Sequence, residues 1–367
     1  MHPGADEAKL LRAVAASAAS AGVAEPLWDG RLARVAADLA RALPPDGAPP
    51  LELVDFLVSH HGLVEPSPHL LVAATEGGGV EIVDSEIRAR LAKVFSGGAR
   101  LSRVGIASVS EGPAEREGRR IVVALQESHV DLAPLPRTIA PGESVTLAGS
   151  LRPPFRVAEA FVTRPDGRAE ALALRRQHEA FAGEVRCDAG VGRYQIEVTS
   201  DDAHGAVVLA NFPVFCGVAP PDRIRVAPPR AAVASAVEAE ASIEALVQGD
   251  RRRAGLPPLR VDPRLARVAR GHSEDMAASG FVGHVSSTTG TPADRVSRSG
   301  LAPALILENV ARAYSPEEAQ AGLMNSPGHR RNVLHRDVTD VGVGVVLGRE
   351  VGGRREMWVT ELFAKLR

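Results

Sequence analysis

Asn325-Ser326-Pro327-Gly328-His329-Arg330 is the stretch on which the reading of the last third of the chain turns. Pro327 suits the first position of a helix, where a missing N–H costs nothing, so this turn opens a helix with His329 in its first turn. Three signals precede it in order: Gly255-Leu256-Pro257-Pro258-Leu259, then Phe281-Val282-Gly283-His284, then Glu308-Asn309. Between the first two, Asp262 is a good N-cap, Pro263 a good first helical residue and Gly280 a terminator, which predicts a helix ending at Ser279. Leu265, Val268, Ala269, His272 and Met276 recur on one face of it, so His272 reads as a core histidine with a satisfied ring rather than as a ligand. His284, just past the helix end beside Gly283, is placed where a side chain can enter a cleft. Glu308 follows Leu305-Ile306-Leu307; a carboxylate there either caps a helix, a task Asn309 could equally perform, or is buried with a partner.

Working outward, an earlier helix is expected over Ser235 to Arg253. Downstream, Val341 to Leu347 and Met357 to Phe363 flank Gly352-Gly353 and predict an antiparallel hairpin that helices cover on one face, with Trp358 as packing. Pro220-Pro221 and Pro228-Pro229 mark residues 219–234 as a stiff linker. Before it, residues 129–218 hold short apolar runs separated by turn signals such as Pro165-Asp166-Gly167, the pattern of an all-β sandwich. No cluster of ionisable residues stands out there.

Residues 1–128 read as helices over Ala8 to Ala21, Asp29 to Leu43, Leu51 to His61 and Ile87 to Phe95, then a hairpin of Val104 to Val109 and Ile121 to Leu125. An internal repeat is visible: Arg31-Leu32-Ala33-Arg34-Val35-Ala36 recurs unchanged as Arg264-Leu265-Ala266-Arg267-Val268-Ala269. Val104-Gly105-Ile106 parallels Val341-Gly342-Val343, and His61-Gly62-Leu63 parallels Ser299-Gly300-Leu301. Aligned on these, Glu308 falls near Leu70, His329 near Ala92 and His284 near Gly47. His60, His61 and His69 are out of register, so residues 1–128 read as a scaffold without the polar set.

Composition bounds the rest. The 367 residues have room for two or three domains, and 45% apolar with 24% charged residues describes a globular chain rather than a disordered one. Net charge is −2, and the one basic run, Arg251-Arg252-Arg253, reads as a solvated helix end complementing the dipole; nucleic acid is not an expected partner. No apolar run reaches bilayer-spanning length. Met-His-Pro-Gly-Ala-Asp lacks the charged and apolar regions of a signal peptide, so export supposes a leader already removed. Cys187 and Cys216 either form a bridge, worth on the order of 3 kcal/mol for a loop of about thirty residues and suited to an exported protein, or are two buried thiols.

Together the four motifs of the last third resemble the CAP superfamily (cysteine-rich secretory proteins, antigen 5, pathogenesis-related proteins), in its bacterial SCP-like branch, over residues 235–367. The resemblance implies an α-β-α sandwich there, and for the whole chain an α+β multidomain fold with a degenerate CAP-like α+β domain over 1–128. "PGESVTLAG", "RPDGR" and "GRYQIEV" resemble immunoglobulin-like modules of bacterial surface proteins, a spacer or adhesion role. In the CAP family the matching histidines and glutamate line one cleft, which implies His284, Glu308 and His329 here, with Asn309, Ser326, Glu361 and His272 as neighbours. Animal and plant members often add an acidic residue one turn before the last histidine; Ser326 or Asn325 occupies that place, and Glu361 is a candidate substitute unless it is an exposed strand residue.

Two imidazoles and a carboxylate suit a divalent cation, zinc first, or water activation with Glu308 as base. There is no His-Glu-x-x-His and no Gly-x-Ser-x-Gly, and Ser326 lacks a third group for a triad. The expected function is therefore an exported or cell-envelope, non-enzymatic protein binding a divalent cation or a small apolar or glycan ligand. The alternative is a metal-assisted hydrolase of cell-wall or peptide substrates, with His284, Glu308 and His329 catalytic. The oligomeric state stays open.

Overall fold

The computed structural model describes residues 2–43, 49–75, 80–96, 100–111, 118–226, 233–351 and 354–366. Three features of the sequence reading, the stretch around Gly47, Pro228-Pro229 and the turn Gly352-Gly353, lie outside the described residues. The chain forms two compact units, Met1–His129 with Pro221–Pro228, and Val130–Pro220 with Pro229–Arg367.

The first unit contains α1 (Ala5–Ser20), β1 (Leu27–Trp28), α2 (Gly30–Ala42), α3 (Leu51–His60), β2 (His69–Thr75), a 3₁₀ turn (Val80–Val83), α4 (Asp84–Ser96), β3 (Leu101–Glu111) and β4 (Gly118–Glu127). Its sheet has the order β1-β3-β4-β2. Alternation along β3 and β4 divides the core in two. Ile106, Ile121 and Val123 join Leu10 and Val14 of α1 and Leu91 of α4. Ala107, Val122 and Ala124 join Leu32 and Val35 of α2 and Val54 of α3.

The second unit begins with a two-sheet β-domain: β5 (Val130–Leu132), β6 (Thr138–Ile139), β7 (Ser144–Leu151), β8 (Glu159–Thr163), β9 (Ala169–Ala171), β10 (Leu174–Gln177), β11 (Ala180–Arg186), β12 (Gly192–Asp202) and β13 (Gly205–Cys216). The sheets run β10-β11-β7-β5 and β6-β13-β12-β8-β9. Cys187, just past β11, is bridged to Cys216 at the end of β13 with Cα atoms 5.7 Å apart, so the disulfide ties one sheet to the other.

The unit continues as α5 (Ala236–Arg253), β14 (Arg260–Val261), α6 (Pro263–Ser279), α7 (Pro292–Arg298), β15 (Leu305–Ala313), α8 (Pro316–Asn325), α9 (Pro327–Val333), β16 (Asp340–Val351) and β17 (Arg354–Lys365). Local chemistry sets the ends of α6: Asp262 accepts from Arg264 N and Leu265 N, and Gly280 closes the helix in the left-handed region at φ 72°. The sheet order is β14-β16-β17-β15. Helices cover both faces, as the α-β-α sandwich implies and beyond the one face read from the hairpin alone, because β16 alternates Val and Gly. Val341, Val343 and Val345 bury against Ile243 and Val247 of α5. A Cβ on Gly342 or Gly344 would fall inside the backbone of α6 at Leu265–Ala266 or Ala269–Arg270. Glu308 and Asn309 do not cap a helix; they lie in β15, opposite Leu362 and Glu361 of β17. Arg251 is not solvated either. It is fully buried, donating to the carbonyls of Pro257, Val333 and His335, so its guanidinium serves backbone acceptors rather than water.

The sheet order of the first unit, β1-β3-β4-β2, is that of β14-β16-β17-β15, with the same parallel and antiparallel pairings. Asp29 caps α2 as Asp262 caps α6. Asp29 N donates to Val104 O and Asp262 N to Val341 O, both at 2.9 Å. Leu70 pairs with Ala124, one residue before the Leu125 that faces Val104; Glu308 pairs with Leu362, one residue before the Phe363 that faces Val341. Leu70, Leu71 and Val123 thus hold the positions of Glu308, Asn309 and Glu361.

The close approach of α6 to β16 is testable by thermal unfolding. Gly344→Ala is expected to destabilise its unit by about 3 kcal/mol through overpacking. Gly271→Ala, on the exposed side of the same helix with nothing within 4 Å of the added carbon, is expected to stabilise it by up to about 1 kcal/mol.

Candidate functional site: a polar cluster at the end of α6

The loop leaving α6 brings His284 to Glu308 of β15, with Nδ1 3.1 Å from Oε1. The carboxylate's other oxygen accepts from Arg295 Nη2 at 2.6 Å. Both partners are buried, their side chains 5% and 2% exposed, so this is a desolvated ion pair. Arg295 also donates to the carbonyls of His284, at 3.1 and 3.2 Å, and Gly290, at 2.6 Å. One guanidinium therefore fixes both the backbone of the histidine and the carboxylate that orients its ring. His272 lies beneath: its Nε2 donates to Gly283 O at 2.8 Å and sits 3.9 Å from Glu308 Oε1. Burial lowers the His272 pKa, outweighing the nearby Glu308, which keeps the ring neutral as a structural post under the loop.

On the opposite side, Ser326 caps α9 and contacts His329 Nδ1 through Oγ at 2.8 Å. The His284 and His329 rings are 6.2 Å apart between centroids. Burial and the neighbouring His284 push the His329 pKa down to about 3. Asn309 ties the two sides together: its Nδ2 reaches His329 O at 3.2 Å and Glu361 Oε2 at 3.0 Å, and its Oδ1 accepts from Asn332 Nδ2 at 2.9 Å. Asn332 also donates to Glu308 O. Glu361 is fully buried, and burial, only partly offset by the Asn309 bond, raises its pKa to about 7.

All seven sequence-derived residues are thus linked, with one correction to their roles. Glu361 is not an exposed strand residue, and it meets Asn309 rather than either imidazole. Among the described residues no three His, Cys, Asp or Glu side chains stand grouped to hold a metal ion. Both Glu308 oxygens are engaged, one by His284 and one by Arg295.

Four contributors escape the sequence reading. Arg295 sits on α7, whose signal was legible as a capping box, Thr291 to Asp294 with Pro292 between. Asn332 follows the Gly-His motif on α9. Glu197 and His204 belong to the β-domain, expected to be a spacer or adhesion module. His204, at the β12–β13 turn, accepts through its carbonyl from His284 N at 2.6 Å and Val285 N at 2.9 Å. Its ring stacks on Phe281 at 4.7 Å.

Residues 245–362 match the family model described as the cysteine-rich secretory protein family, CAP. The uncharacterized protein YkwD of Bacillus subtilis (strain 168) is 37% identical over 108 residues, 29% of this chain and 42% of that protein. The uncharacterized membrane protein YlbC of the same organism is 40% identical over 92 residues, 25% of this chain and 27% of that protein. The chain therefore matches less than half the length of these curated relatives. Among solved structures, an extracellular protein containing an SCP domain from Bacillus anthracis str. Ames aligns at 19% identity with a TM-score of 0.32, over 65% of this chain and 67% of that one. A cysteine-rich secretory protein from Staphylococcus aureus subsp. aureus Mu50 aligns at 12% identity and 0.29, over 72% and 82%.

Glu361 makes stability depend on pH in a defined direction. Its folded pKa of about 7 lies above the ordinary 4.5, so its contribution is complete below pH 4.5 and is lost as pH rises through 7. Denaturant unfolding of the natural protein and Glu361→Gln at pH 4.5 to 7.5 is expected to show the natural protein losing roughly 3 kcal/mol relative to the variant across that window.

Proposed function

With a CAP domain of the cysteine-rich secretory protein family at residues 245–362, we propose that this chain is an exported or cell-envelope protein. Its polar cluster binds a small hydroxyl-rich ligand, a glycan, and does not cleave it. The observation that carries the reading is the Arg295–Glu308 pair. A carboxylate held at 2.6 Å by a buried guanidinium has its charge already compensated, and it orients His284 instead of taking a proton from water. With its Nδ1 edge on Glu308, His284 leaves Nε2 for a ligand beside the His329 ring, and the surrounding Asn309, Ser326 and Asn332 suit hydroxyl groups better than an apolar ligand.

The hydrolase alternative has less support. Ser326 is buried beside His329, and among the described residues no carboxylate hydrogen-bonds that ring, whereas a nucleophile needs the histidine between itself and an acid. A metal-activated water would need Glu308 freed from Arg295.

Export is supported by the Cys187–Cys216 bridge, since disulfides persist in oxidising compartments, and by the extracellular description of the Bacillus anthracis protein. Among the described residues no helix is long and apolar enough to cross a membrane. The first unit is read as a CAP-like copy that kept the sheet order and replaced the cluster by Leu70, Leu71 and Val123; the β-domain is read as immunoglobulin-like.

Imidazole spectra of the full-length protein during titration with soluble peptidoglycan fragments test this. The His284 and His329 ring signals are expected to shift and saturate, the response is expected to disappear in His284→Ala, and the fragments are expected to be recovered intact. Fragments cleaved by the natural protein but not by Glu308→Gln would replace binding with hydrolysis. Zinc heats seen in calorimetry and lost in a His284→Ala/His329→Ala double variant would restore the cation.

A further inference from the structure

Alternation along an extended strand puts Glu308 and Asn309 on opposite faces of β15, the edge strand of the last sheet. The His284 ring meets the first and the backbone of His329 the second, so the two histidines approach that edge from opposite sides. The segments that carry them also rest on the β-domain, and both rest on β12 or the turn that follows it.

The first anchor is Glu197. Parity sets Tyr194, Ile196 and Val198 on one face of β12, and Gln195 and Glu197 on the other. On a free β-domain the second pair would meet water. Glu197 is nevertheless only 1% exposed, because α9 and the residues leading into it lie across β12 and β8. Its Oε1 accepts from Gly328 N at 2.9 Å. A Cβ at Gly328 would stand 3.0 Å from that oxygen; glycine there lets the carboxylate in. Around this bond Asn211 Nδ2 donates to Asn325 O at 3.3 Å, Arg193 Nη2 to Asn325 Oδ1 at 2.8 Å and Arg330 Nε to Gly167 O at 2.8 Å. The Arg331 guanidinium lies over the Phe161 ring at 5.8 Å.

The second anchor is the β12–β13 turn. His204 N donates to Asp202 Oδ1 at 2.6 Å, which sets the turn so that the His204 carbonyl receives both His284 N, at 2.6 Å, and Val285 N, at 2.9 Å. The His204 ring returns the contact, Nδ1 donating to Val285 O at 3.0 Å. Glycines face each other across this junction. A Cβ on Gly283 would fall 2.6 Å from His204 Cβ, and one on Gly205 3.1 Å from His284 Cβ.

β12 is paired on both sides, with β13 and β8, and a central strand is among the last parts of a fold to open. We propose that the β-domain is a fixed frame for the polar cluster: Glu197 and His204 are positioning residues that hold the backbones of Gly328 and of His284–Val285 and thereby set the 6.2 Å gap between the two imidazoles. The inference rests on hydrogen bonds to the backbone and is independent of which ligand the cluster takes.

Cross-relaxation between the ring protons of His284 and His329, measured by NMR on the histidine-labelled full-length protein, reads that gap directly. The natural protein is expected to show the cross-peak. Glu197→Gln, which keeps an acceptor oxygen for Gly328 N, is expected to retain it. Glu197→Ala is expected to lose it, and so, separately, is Gly205→Ala, which forces a Cβ into the junction. A contact that serves stability alone would lower the unfolding midpoint of these variants and leave the cross-peak intact. No cross-peak in the natural protein, or one of natural intensity in folded Glu197→Ala or folded Gly205→Ala, overturns the proposal. If neither variant folds, amide exchange of the natural protein decides. The Gly328, His284 and Val285 amides are expected to exchange as slowly as those of β12, and exchange ahead of β12 overturns the proposal equally.

Discussion

Helix α6 can lie on its sheet only because Gly342 and Gly344 present no side chain toward it. Backbone meets backbone along this seam, and polar groups fasten it: Ser273 Oγ donates to Gly344 O at 2.9 Å, and Glu240 accepts from Val345 N at 3.0 Å while holding Arg270. A helix seated this firmly has no freedom to rotate or slide, so Gly280 ends it at one place and the next four residues deliver His284 to the edge of β15. The position of the cluster is thus a consequence of two missing side chains on the neighbouring strand.

Beyond that seam the cluster depends on compensation of buried charge. Removing a carboxylate from water costs several kcal/mol unless it is paired and hydrogen-bonded. Glu308 meets this with Arg295 and His284. Glu197 and Glu361 have no cationic partner within hydrogen-bond reach, each leaves one oxygen unpartnered, and burial raises the pKa of both. One carboxylate of the cluster is therefore held by charge and two by hydrogen bonds from neutral groups. These different environments give three acidic side chains, all within one small region, separate electrostatic characters.

What could be read from the residues alone follows the range of the interactions. Asp262, Pro263 and Gly280 act within a few residues of themselves, and the bounds of α6 follow from them directly. The apolar stripe of that helix places His272 in the core, where its ring bonds to Gly283. The register that sets Leu70 in the place of Glu308 is likewise legible, because hairpin alternation and one glycine on each side suffice to align the segments. Arg251 defeats local reasoning, since two of the three carbonyls that receive it, those of Val333 and His335, come from a distant helix end. β15 is missed because Leu305-Ile306-Leu307 does not alternate. Glu197 is the hardest case: a polar residue on the outer face of a strand is the ordinary solvated pattern, and only the segment lying across it reveals otherwise.

The shared sheet order of the two ends of the chain has a thermodynamic corollary. Where the last sheet buries Glu308, Asn309 and Glu361, the first carries Leu70, Leu71 and Val123 on the same register. Exchanging interior polar groups for well-packed hydrocarbon is often neutral or favourable to folding. At those three positions the first sheet has no buried charge to compensate, whereas the last sheet requires Arg295, His284 and Asn332 to satisfy the polar groups it encloses.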